Sequence, residues 1–180
     1  MLKPRQTVLA AMIFAAAASR LIPHPPNMTA VTAMALFAGA TLSRRRYGFL
    51  VPLAALFLSD LLIGFYSGMV FVYGAFMVTV GIGLLLRGRR HIFTVGAASL
   101  ASSVIFYLVT NFGVWAGSGL YPHTGAGLVA CYTAGLPFFR NMVTGDLFYA
   151  ALLFGSFALL ERFLPVLREK AERAPEPSLI

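Results

Sequence analysis

Long apolar runs broken by short polar segments set the pattern of this chain. The runs cover about Gln6–Leu21, Met28–Leu42, Phe49–Tyr66, Met69–Leu86, Ile92–Phe112 and Met142–Leu164. None shows the two-residue alternation of a half-buried strand. Most approach the roughly 20 residues that a helix needs to cross a hydrocarbon core. The pattern predicts an all-α integral membrane protein with six transmembrane helices. The first two spans are short, so they tilt little or cross where the bilayer is locally thin. A further apolar stretch, Gly125–Phe139, is also short and rich in glycine. It reads as a re-entrant or interfacial helix between spans 5 and 6, tolerated at depth only where protein covers it. The alternative is a seventh span. Pro23, Pro25 and Pro26 in "RLIPHPPNMTAV" end the first run, because proline lacks a donor and disfavours helix at the residue before it.

These elements make a single membrane domain over residues 1–166 and a polar tail over 167–180. The opening "MLKPRQTVLAAMIFAAAASR" has signal-like features but reads as a retained anchor, the first of an even set of spans. Composition supports the membrane class: 59% of residues are hydrophobic and 11% charged, against about 45–50% and about 25% in soluble domains.

Charge then orients the spans. Lys3 and Arg5 precede span 1, and Arg44, Arg45 and Arg46 separate spans 2 and 3. Arg87, Arg89 and Arg90 separate spans 4 and 5, and Arg162, Arg168, Lys170 and Arg173 end or follow span 6. With six spans, 12 of the 14 basic residues share one side, and only Arg20 and Arg140 lie opposite. A seventh span would move the last group across, so charge favours six. The positive-inside rule makes the basic side cytoplasmic, with both termini inside a bacterial inner membrane. The net charge of +8 is therefore a topology signal and no sign of nucleic-acid binding.

Six spans collect the unusual polar and aromatic residues on the outer side: His24, Asn27, Asp60, Tyr66, Asn111, Trp115, Tyr121, His123, Arg140 and Asp146, together with Arg20. Asp60 and Asp146 fall within spans, where a carboxylate normally faces a cavity or a partner. Asp60 either pairs with Arg20 or Arg140 to fix helix register or contributes to a ligand site. The aromatic residues serve as an interfacial belt or line a pocket for a flat ligand. His24 and His123 lack metal-ligand spacing, so no metal is expected; a bis-histidine haem is the remote alternative. Cys131 is the sole cysteine, which excludes an intrachain disulfide, and it reads as packing or as a ligand contact. No GxxxxGK(S/T), GxSxG, HExxH or paired-cysteine motif occurs, so no enzyme activity is expected. Ala11 and Ala15 lie on one face of an alanine-rich span 1, which serves tight internal packing or docks a partner helix.

The segments "RLIPHPPNMTAVTAMALFAGA", "PLAALFLSDLLIGFY", "TNFGVWAGSGLYPHTGAGLVACYTAGLPFFRN" and "GDLFYAALLFG" resemble an uncharacterised bacterial family of small six-helix membrane proteins. That family resembles the substrate-binding S components of energy-coupling factor (ECF) transporters. The resemblance implies an S-component-like fold that takes up a vitamin or other small micronutrient. The ligand would bind near the outer face, between the loops after spans 1, 3 and 5. It also implies that span 1, through Ala11 and Ala15, docks a transmembrane partner coupled to ATPase subunits. The solitary cobalamin transporters of Gram-negative bacteria are a further parallel, with His24, Asp60 and Arg140 as matching positions. Their cobalt-ligating cysteine is missing from "YSGMVFVYG", so a cobalamin-like ligand is the weaker implication and no resident cofactor is expected. The alternative function is a non-catalytic membrane subunit that assembles with a larger complex.

Overall fold

The computed structural model describes residues 4–168. Among them are six α-helices and no strand. They are α1 (Pro4–Ala18), α2 (Val31–Thr41), α3 (Arg45–Ile63), α4 (Met69–Leu85), α5 (Ile92–Gly117) and α6 (Gly125–Phe163). Short 3-10 turns follow α1 at Ser19–Leu21 and α6 at Pro165–Leu167. Lys3, Lys170, Arg173 and most of the 167–180 tail lie outside the described residues. Three of the helices, α3, α5 and α6, are long and apolar enough to cross a membrane. This is consistent with a membrane protein. Helices α2 and α4 are apolar but shorter.

The sequence of α2, VTAMALFAGAT, has no polar face, and all its residues are buried. A helix apolar all round belongs in the middle of a structure. Here α2 is the axis: it packs against α1, α3, α4, α5 and α6. Phe37 shows how the sheath closes on it, with its ring edge-to-face with Phe154 at 5.2 Å and Phe157 at 5.8 Å. The closest approach is to α4. A methyl group added to Gly39 would lie 3.0 Å from the Gly83 backbone and run into the Val80 carbonyl. One added to Gly83 would run into the Leu36 carbonyl. The two backbones touch, and only glycine at both positions allows it.

A buried helix end has no water to satisfy its last carbonyls. Arginines from distant segments do so for α2. Arg87, after α4, donates from Nε to Gly39 O at 3.1 Å and from Nη2 to Leu42 O at 2.6 Å. Its Nη1 reaches Ser43 O at 3.2 Å. Arg5 on α1 is buried and donates to Leu167 O at 2.7 Å and to Thr41 O at 3.5 Å. Glu161 lies 2.5 Å from Arg5 and 3.8 Å from Arg90. The positive charge also suits the negative end of the helix dipole. These arginines hold the bundle together as well as making one end basic.

The boundaries differ from the sequence reading in several places. α2 starts at Val31, after a turn in which Met28 N bonds Pro25 O at 3.0 Å. α3 stops at Ile63 because Gly64 turns the chain with φ +103. α5 continues to Gly117. The largest correction concerns Gly125–Phe139, which is no separate re-entrant or interfacial helix. It runs unbroken through Arg140 and Asn141 into the last span, giving a 39-residue α6. Pro137 removes one donor from the ladder, yet the helix continues through it. The Tyr107 hydroxyl donates to the Tyr132 carbonyl, beside the carbonyl that Pro137 leaves without its usual partner.

The glycine contact is testable. Gly83→Ala should lower stability by about 1–3 kcal/mol, the usual cost of overpacking. Gly81→Ala, whose added methyl meets nothing within 4 Å, should be neutral or stabilising by up to about 1 kcal/mol. Thermal unfolding of the two purified variants checks both.

Candidate functional site

The 11 residues of α2 rise roughly 16 Å, about half the thickness of a hydrocarbon core. Its neighbours continue past its N-terminus. The space they enclose beyond it is a cavity of about 530 Å³, within the usual range of small-molecule sites. Thr29, Val31 and Thr32 form its floor at the start of α2. One wall is the α5 face Tyr107, Thr110, Asn111 and Val114. Another is the α6 face Cys131, Gly135, Phe138, Phe139 and Met142. Both sets follow helical spacing of three, four and seven residues. Arg20 and Asn27 from the first loop, Tyr66 and Ser67 from the α3–α4 loop, and Tyr121 from the α5–α6 loop also line it.

The walls are fixed from behind. Gly135 lets α6 approach α5, since a methyl there would lie 2.5 Å from Asn111 Oδ1. Asn111 Nδ2 donates to Tyr107 O at 2.9 Å, and the Cys131 thiol to Asn111 O at 3.4 Å. Asn27 holds a left-handed backbone with φ 62, a conformation asparagine tolerates better than most residues.

Among the described residues Arg20 brings the cavity lining its only formal charge, and that charge is engaged. Its Nη1 lies 2.7 Å from Asp60 Oδ1 and donates to Ser59 Oγ at 2.5 Å. The Tyr73 hydroxyl donates to Asp60 Oδ2 at 2.9 Å. Asp60 is wholly buried behind this pair and does not line the cavity. Between the two arginines considered from sequence, its partner is Arg20. Tyr66 sits beside the pair in the loop. Burial first, and then the Asp60 charge, push its phenol above the usual range, so it lines the cavity as a neutral group.

Asp146 lies beneath the floor and is 1% exposed. Ser103 Oγ is 2.7 Å from its Oδ2, and the Thr32 hydroxyl also bonds it. No basic side chain pairs with it among the described residues. Its compensation is structural: Thr32 is the second residue of α2, so the carboxylate faces the positive end of that helix dipole.

The remaining positions singled out from sequence fall elsewhere. His24 is exposed, with Nδ1 2.6 Å from Ile22 O. Trp115 donates from its indole to Pro122 O at 3.0 Å, and its ring meets that of His123 at 5.3 Å, so the pair pins the α5–α6 loop. Arg140 is exposed on α6, while neighbouring Asn141 donates to Pro26 O at 3.1 Å. Ala11 and Ala15 are exposed together on α1. Of the residues singled out from sequence, Arg20, Asn27, Tyr66, Asn111, Tyr121 and Cys131 meet in the cavity. Sequence reasoning missed Thr32, Tyr107, Thr110, Phe139 and Met142. The helical spacing around Asn111 and Cys131 was the available signal.

Fold and cavity together define an all-helical bundle with membrane-spanning potential and a chamber above a truncated central helix. The chain belongs to the family described as "Family of unknown function (DUF6580)", which it matches over residues 1–167. No curated protein and no solved structure matches it.

Asp60→Leu alone should cost about 3–5 kcal/mol, because it strands a largely buried guanidinium. The double variant Arg20→Leu with Asp60→Leu should recover most of that loss. A double-mutant cycle in thermal unfolding measures the coupling.

Proposed function

We propose that the protein is a substrate-binding membrane subunit, S-component-like, for uptake of a vitamin or other small micronutrient. The observation that carries this reading is the cavity of about 530 Å³ at the end opposite the arginine-rich one. It is bounded by the loops after α1, α3 and α5. In this reading the helical bundle spans a bacterial inner membrane with both termini cytoplasmic, following the positive-inside rule. The cavity then faces the outside, where a scarce nutrient is met. The exposed Ala11 and Ala15 face of α1 docks a transmembrane partner that couples to ATPases, since small residues let helix backbones approach.

Binding gives the first test. A micronutrient present at about 100 times its dissociation constant should stabilise the purified protein by roughly 2.7 kcal/mol. Thr110→Trp, which places an indole in the cavity, should abolish that stabilisation and the cellular uptake of the same compound while the fold persists. A vitamin panel that leaves the melting temperature unmoved would count against the reading.

A further inference from the structure

The cavity has an electrostatic character that the polar residues of the sequence do not announce. Among the described residues Arg20 supplies its one formal charge, and Asp60 and Ser59 already engage that guanidinium through Nη1. His24 and Arg140 do not line it, and neither does Asp60. Among the described residues a carboxylate or phosphate entering the chamber would meet no cation but Arg20, whose charge Asp60 already balances. A cationic ligand would find no carboxylate among the described lining residues: Asp60 is bound by Arg20, and Asp146 is buried behind Thr32. An ion of either sign would thus leave water without a compensating partner.

What the lining offers instead is aromatic surface and neutral hydrogen-bonding groups. Tyr66, Phe106, Tyr121 and Phe139 supply flat faces, and Asn27 and Asn111 supply amides. Asn111 is oriented by its bond to Tyr107 O at 2.9 Å. Aromatic rings favour stacked or edge-to-face partners, and an amide rewards a ligand that presents both donor and acceptor edges. We infer that this chamber selects an uncharged, planar ring compound with hydrogen-bonding substituents, and that the Arg20–Asp60 pair shapes the site without reading ligand charge. The inference rests on the cavity being the binding site of the proposed importer.

A matched set of probes separates ligand class from importer function: 2-naphthamide, 2-naphthoate and 2-naphthylmethylammonium share one ring system and differ in charge. Titrated into the full chain in lipid nanodiscs and followed by naphthyl fluorescence, the amide should bind about tenfold tighter than either ion. Thr110→Trp should remove its binding. Replacing both members of the ion pair by leucine should leave the order of the three probes unchanged. Equal or tighter binding of the carboxylate or the ammonium would overturn the inference, as would saturable binding by none of them. A charged micronutrient that binds and is taken up would overturn the ligand class and leave the importer reading standing. Amide binding in a protein that supports no uptake would do the reverse.

Discussion

The contact between Gly39 of α2 and Gly83 of α4 sets the terms for the rest of the molecule. Because two backbones meet there, α2 can sit inside a sheath of five helices with no face left over. A helix placed so deeply must then satisfy its ends from side chains. Arg87 and Arg5 reach its last carbonyls, and Asp146 stands at its first turn through Thr32. The charges are signed as the helix dipole requires: acid at the N-terminal end and bases at the C-terminal end. Side chains drawn from α1, α6 and the segment after α4 thereby converge on one central element.

The brevity of α2 has a second consequence. A longer helix would fill the bundle from end to end. This one stops about halfway, and the α5 and α6 walls continue beyond it. The chamber is the volume that the missing turns leave open. Its rim is tied down by interactions outside it: Arg20 to Asp60 and Ser59, Trp115 to Pro122, and Asn141 to Pro26. Several polar residues that draw attention in the sequence therefore hold the loops in place around the cavity and do not enter it.

This division explains what could be read from the chain. The apolar runs mark the helices because burial and lipid exposure demand the same residues. The Asp60 partnership was legible as a choice between Arg20 and Arg140, since an isolated carboxylate within a span needs a partner. The arginines were legible only as a charge count. Arg87 caps Gly39 O across 48 positions, and no local pattern announces such a bond. The continuous α6 was hidden because "PFFRN" combines proline with polar residues, which usually interrupt a helix. The chamber walls were hidden for the opposite reason: Tyr107, Thr110 and Phe139 look like ordinary core residues until α2 is known to end beneath them.

The proposed importer has its chamber open on the side of the membrane opposite the arginine-rich end. Labelling with a membrane-impermeant maleimide tests it most directly. In a Cys131→Ser background, Ser67→Cys places one thiol at the cavity mouth and Arg45→Cys places one at the basic end, both at exposed positions. The account predicts that intact cells label Ser67→Cys, and that Arg45→Cys labels only after the membrane is opened. Labelling of Arg45→Cys on intact cells, with Ser67→Cys protected until lysis, would contradict it.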